Sequence, residues 1–322
     1  MAAFAASCAL PLGGIRGGRR ETRAMWVWMS AGLLADAARQ AELFAFSGAH
    51  GIGTLWVQVT TGTRGGARAG GLEVTRRDAW QAFLAAAHAR GLTVEALDGD
   101  PAYAQRAAHD VALAIADAVI AFNRESPREA RFDGLHFDIE PYLLPAWRDP
   151  ASRERLLVDF LTLADAVQRR VREAPGLRFG LDVPFWWHAI DARSGEAIAA
   201  VTYGGIRQSA SLHAVERLDT VALMDYRNDA EGPDGLVAHA SLLLLDAARA
   251  RGARVYIGVE TSPVANPEAG IAGVELPKVT FASRPAAMEP ELAVAARVFR
   301  QFPAYAGIAV HHYDAYRELT RR

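Results

Sequence analysis

Short apolar runs alternate along this chain with longer stretches whose apolar residues recur every three or four positions, the signatures of strand and helix. Eight runs read as strands: Met25–Trp28, Thr54–Val59, Thr93–Leu97, the segment 132–140, Phe179–Phe185, Thr220–Tyr226, Val255–Glu260 and Ala306–His311. Helical periodicity covers 31–48, the stretch from Thr75 to Gly91, roughly 103–124, 152–173, 237–251 and about 289–301. Thr75 reads as a helix cap with Asp78 in the first turn. Gly91, Pro175-Gly176 and Gly252 read as helix stops, and Val279–Ala282 as an accessory strand. Strands alternating with helices predict a parallel sheet, and eight strands close into a (β/α)8 TIM barrel. An open doubly wound sheet is the other architecture this order allows, but no Gly-x-Gly-x-x-Gly follows the first strand. The expectation is an α/β chain with one barrel domain, 24–322, behind a tail, 1–23.

The 322 residues suffice for such a barrel, which needs about 250. The formal charge of −2 gives no sign of a nucleic-acid partner. One Lys (Lys278) against 34 Arg reads as coding bias. A single cysteine, Cys8, allows neither an intrachain disulfide nor a cysteine-based metal cluster. Ala5-Ala6-Ser7 before Cys8 loosely resembles a lipoprotein cleavage site, yet no basic segment or long apolar stretch precedes it. Secreted or envelope-anchored and cytoplasmic placements both stay open. No run of 18 apolar residues suggests a spanning helix.

The chemistry concentrates in 132–142, FDGLHFDIEPY. Side chains alternate faces along a strand, so His136, Asp138 and Glu140 share one face and Leu135, Phe137 and Ile139 the other. Three ionisable groups within about 14 Å are costly to bury without a purpose. Pro141 ends the strand and leaves Glu140 at its tip. This segment resembles the signature of the chitinase-like family 18 glycoside hydrolases, Asp-Gly-x-Asp-x-Asp-x-Glu. Here it reads Asp133-Gly134-Leu135-His136-Phe137-Asp138-Ile139-Glu140, with His136 in place of the middle Asp. The resemblance implies that Glu140 is the general acid and that Asp138 orients a 2-acetamido group whose oxygen acts as nucleophile. His136 would take over the hydrogen bond to Asp138 that the missing Asp makes. Met224-Asp225-Tyr226-Arg227 is similar to the family's Met-x-Tyr-Asp, with Arg227 for the final Asp, and implies that Tyr226 contacts the acetamido group.

Glu260 ends the seventh strand. Carboxylates at the ends of strands four and seven resemble the retaining glycosidases of clan A, which implies a direct nucleophile if the two lie about 5 Å apart; a salt bridge from Glu260 to an arginine such as Arg227 is the plainer alternative. Barrel active sites lie at the C-terminal strand ends. Further substrate contacts are therefore expected from Trp28, Trp56, Asp98, His136, Tyr142, Asp182, Trp186, Met224, Asp225, Arg227 and Tyr313. Flat aromatic faces such as Trp186 suit sugar rings. Asp98 and Asp100 also read as turn caps around Gly99, and His50, His88 and His109 as surface residues. The leading expectation is a cofactor-free glycosidase acting on a polysaccharide or oligosaccharide. Two others stay open: a metal-dependent hydrolase using His136, Asp138, Glu140, Asp98, Asp182 and His311, and a non-catalytic lectin-like barrel.

Overall fold

The computed structural model describes residues 22–28, 30–63, 71–250, 252–263 and 276–321. The tail with Cys8 lies outside them. Eight parallel strands close a barrel in which each pairs with the next and the last with the first. They are β1 (Arg23–Val27), β2 (Ile52–Gln58), β3 (Thr93–Asp98), β4 (Gly134–Phe137), β5 (Arg178–Pro184), β6 (Thr220–Met224), β7 (Arg254–Glu260) and β8 (Tyr305–His311). Eight principal helices accompany them: α1 (Ala37–Ala49), α2 (Arg77–His88), α3 (His109–Glu125), α4 (Pro150–Arg172), α5 (Ala210–Arg217), α6 (Leu236–Ala250), α7 (Met288–Phe299) and α8 (Tyr313–Leu319). The apolar side chains between strands and helices form one continuous core. Among the described residues no helix is long and apolar enough to cross a membrane.

Local chemistry corrects several boundaries. The expected helix 31–48 is broken, because the Asp36 side chain accepts from the backbone N–H groups of Ala38 and Arg39 and starts α1 afresh. Thr75 does not cap α2; its hydroxyl pairs with Thr60, and Arg76, in a left-handed conformation, occupies the cap. Two antiparallel hairpins extend the strand ends, Thr61–Thr63 with Leu72–Val74 and Ala200–Tyr203 with Ile206–Ser209. The accessory strand at 279–282 reduces to a single bridge between Thr280 and Glu260. His109 is buried at the start of α3, not on the surface.

The barrel interior is more polar than a packed aliphatic core. Trp56 stacks on His136 with centroids 4.2 Å apart, and Trp26 meets Trp56 edge-on at 4.4 Å. Gly180 makes room for this layer: a Cβ there would lie 2.3 Å from Thr220 Oγ1 and 2.7 Å from His136 Nδ1. Each buried carboxylate has donors, as burial requires. Asp182 accepts from His136 Nε2 at 2.7 Å and from Trp26 Nε1 at 3.1 Å. Glu95 accepts from Trp56 Nε1 at 3.0 Å, with Arg178 3.5 Å away. Burial raises the Glu95 pKa, against the opposing charges of Arg178 and His136.

Candidate active site

The mouth of the barrel is assembled from segments lying just beyond the last ladder pairs. After β4 the chain runs through Asp138 to Glu140, then into a short turn, Pro141–Leu143. Asp138 N–H donates to Asp98 O at 2.9 Å, which ties this tip to β3. Such an approach requires glycine next door, since a Cβ on Gly99 would stand 2.0 Å from the Asp138 carbonyl oxygen. Asp100 caps the following turn through Ala102 N–H at 2.7 Å, and Asp98 accepts from the Tyr103 hydroxyl at 3.1 Å. Burial raises the Asp98 pKa, and the Tyr103 bond opposes it.

Glu140 is half-buried, and its Oε1 accepts from the hydroxyl of Tyr142 two residues on. Tyr142 packs edge-on against Trp186 (5.4 Å) and Trp147 (6.4 Å), and Trp147 meets Trp186 at 5.8 Å. Trp187 is fully buried and stacked behind Trp147. Half-buried Trp186 therefore forms part of an aromatic wall beside Glu140. Trp147 was not anticipated; its place in Pro145-Ala146-Trp147, just after the Glu140 turn, was the available signal.

Glu260 and His311 are register partners on β7 and β8. His311 Nδ1 lies 2.8 Å from Glu260 Oε2, and Trp28 Nε1 donates to His311 Nε2 at 3.0 Å. The other oxygen, Glu260 Oε1, accepts the backbone N–H groups of Thr261 (2.7 Å) and Ser262 (2.6 Å). Burial would raise the Glu260 pKa, but the His311 bond and charge and the Ser262 bonds outweigh it, and the net shift is downward. His311 shifts the other way: burial lowers its pKa, and Glu260, Asp182 and Glu140 together lift it above the ordinary value. The arginine expected as a partner of Glu260 is directed elsewhere, with Arg227 Nε 3.0 Å from Asp234 Oδ1.

Tyr226 follows β6 and meets the His311 ring at 5.9 Å. Its phenol pKa is raised well above the ordinary range, first by burial and then by the charges of Glu260, Asp138, Asp182 and Glu140. The hydroxyl is therefore a neutral group amid four carboxyl groups. Of the expected residues, the structure gathers Trp28, Asp138, Glu140, Tyr142, Trp186, Tyr226 and Glu260 about the mouth.

Others are placed differently. Trp56, His136 and Asp182 are sealed inside the barrel, and His136 bonds to Asp182 on β5. Met224 is buried. Asp225, just past the end of β6, is buried against His239 at 2.8 Å. Tyr313 is buried on α8, edge-on to Phe46 of α1, because the chain has already turned into the helix there. Among the described residues no three His, Cys, Asp or Glu side chains are grouped to hold a metal ion.

Fold and strand-end carboxylates together define a (β/α)8 barrel with acidic side chains at its C-terminal mouth. No protein-family profile and no curated protein sequence matches the chain. Among solved structures, its fold is similar to a GH18 chitinase from Pseudoalteromonas aurantia, with 13% identity, TM-score 0.52, and 93% of this chain and 99% of that one covered. It is also similar to a GH113 beta-mannanase from Alicyclobacillus acidocaldarius solved in complex with ManMIm, with 12% identity, TM-score 0.52, and 91% and 87% covered. At these identities the likeness is one of fold.

Proposed function

We propose that the chain is a glycan hydrolase in which Glu140 is the general acid. The observation that carries this reading is Glu140 itself, half-buried at the barrel mouth beside an aromatic wall, with one carboxyl oxygen occupied by Tyr142. A carboxylic acid in that place can protonate a glycosidic leaving oxygen. Asp138, two residues earlier, supplies negative charge that stabilises positive charge developing on the sugar. Tyr226, kept neutral by its surroundings, is a donor for an oxygen of the substrate. Trp186 offers a ring for sugar stacking.

Glu260 fits a positioning role better than a nucleophilic one. Its Oε1 already holds two backbone N–H groups and its Oε2 holds His311. Attack by the substrate's own acetamido oxygen, oriented by Asp138 and Tyr226, accords with the strand-four signature. This makes chitin-type oligosaccharides the first substrates to try and β-mannan oligosaccharides the second. The test is mass-spectrometric detection of shortened products, with Glu140→Gln as control. Cleavage by the native chain alone supports the proposal. Binding of both glycans without cleavage would favour the lectin-like barrel.

A further inference from the structure

The last ladder pairs of β6 join Met224 to Pro184 on β5 and to Gly258 on β7. Tyr226 lies two residues beyond them. The backbone there is kinked, with Asp225 N–H 2.8 Å from Leu223 O and Arg227 N–H 2.8 Å from Asp225 O, spacings of three-residue turns. Asp225 N–H also reaches Gly258 O of β7 at 3.0 Å, so the hold of the sheet ends one residue before Tyr226. Beside it runs a closed ring of polar contacts. Arg227 Nη1 donates to the Tyr226 carbonyl oxygen at 2.8 Å, and Arg227 Nε lies 3.0 Å from Asp234 Oδ1. That same Asp234 oxygen is 3.3 Å from His239 Nε2, and His239 Nδ1 is 2.8 Å from Asp225 Oδ1. Phe185 fills the centre. The Arg227 guanidinium sits 4.6 Å from its ring centroid, and the His239 ring stacks on it at 4.2 Å and 21°.

We propose that the ring Arg227–Asp234–His239–Asp225 around Phe185 is the device that positions Tyr226, which makes Arg227 and Asp225 positioning residues and not substrate contacts. The inference rests on the reading of Tyr226 as part of the active site. A guanidinium that is planar and stacked fixes direction in a way an ammonium does not, and each member of the ring holds two others. The ring thus converts the orientation of loop 228–235 into the orientation of one tyrosine. It also accounts for an arginine in the position where the resembling family has an aspartate: a carboxylate there could not donate to the Tyr226 carbonyl.

Asp234 is the handle for a test, because its side chain is 58% exposed and its loss leaves the core untouched. Fluorotyrosine placed at position 226 gives a fluorine NMR signal that reads ring environment without any substrate. The expected result is a shifted or broadened signal in Asp234→Asn and in Phe185→Leu, with the thermal midpoint of Asp234→Asn unchanged. An unmoved signal in both variants overturns the inference. On a chitin oligosaccharide that the native chain cleaves, Asp234→Asn should lower kcat by about tenfold and leave KM within about twofold. In a Tyr226→Phe background it should cost nothing further, because coupled residues are not additive; equal losses in both backgrounds overturn the proposal. If Tyr226→Phe alone keeps full activity, the catalytic reading of Tyr226 fails, and the fluorine signal still decides whether the ring positions it.

Discussion

The tips of β4 and β7 each present a glutamate to the barrel mouth, and they treat it in opposite ways. Glu140 stands on a short turn, half-exposed, and one of its oxygens accepts from the flexible Tyr142. Glu260 is 6% exposed, held by two backbone N–H groups on one oxygen and His311 on the other, and its pKa is depressed. Identical side chains at comparable strand ends thus acquire different chemistry from their donors. One stands on a turn within reach of its neighbouring tyrosine, where we propose it acts as an acid. The other is fixed as an anion whose field orients a histidine. A pair of strand-end carboxylates is therefore not by itself an acid and a nucleophile; the hydrogen bonds to each oxygen decide.

The largest effect that would break this contrast is on turnover. Glu140→Gln should cut hydrolysis of an oligosaccharide by about 10²–10⁴-fold, the usual worth of acid catalysis, with an unchanged thermal midpoint. Glu260→Gln should instead show first in stability. It leaves His311 and two backbone N–H groups with a weaker acceptor, a loss of about 1–3 kcal/mol that thermal or denaturant unfolding would report. The sign with pH follows from the two shifts. The Glu260 pKa lies below its unfolded value near 4.5, so its stabilisation is present above that value and lost as pH falls through the folded pKa. The His311 pKa lies above 6.5, so its stabilisation is present below that value and lost as pH rises through the folded pKa. The gap between native chain and variant should be widest between these limits. Added azide or formate should not restore activity to Glu260→Ala; rescue by a small anion would make Glu260 the nucleophile after all.

Smaller effects sharpen the picture around the two tips. Trp186→Ala should weaken oligosaccharide binding by about 1–3 kcal/mol, as calorimetry on an inactive Glu140→Gln background would show. Collapse of the fold in Trp186→Ala would instead make it a core residue like Trp187. Asp225, raised to about 6 chiefly by burial, predicts a subtler pH effect. Its folded pKa exceeds the unfolded one, so the native chain should gain on Asp225→Asn as pH falls from about 6 to about 4, by on the order of 2–3 kcal/mol. Parallel stability curves for the two proteins would remove Asp225 as a titrating group.

Much of this was legible in the chain. Each of the eight barrel strands is a short apolar run bounded by turn residues, and burial on both faces makes such runs readable. The hairpins were not, because strands of three and four residues with half-exposed side chains carry too short a pattern. Glu140 was legible since Pro141 marks the strand end beside it. The partners of charged groups were not: His136 was expected to bond to Asp138 on its own strand, and it bonds to Asp182 on the next. Arg227 was expected beside Glu260 or a substrate, and Asp234, seven residues on, holds it outside. Alternation tells which face a side chain takes; the neighbour it meets across the barrel depends on register and shear, which no single segment encodes.

The central claim, that Glu140 donates the leaving-group proton, is tested most directly by the dependence of the Glu140→Gln defect on the leaving group. Two glycosides of one sugar should be compared, one ending in a sugar alcohol and one in an activated dinitrophenol that departs without a proton. The account predicts about a 10³-fold loss on the first and a loss within about tenfold on the second. Equal losses on both would contradict it.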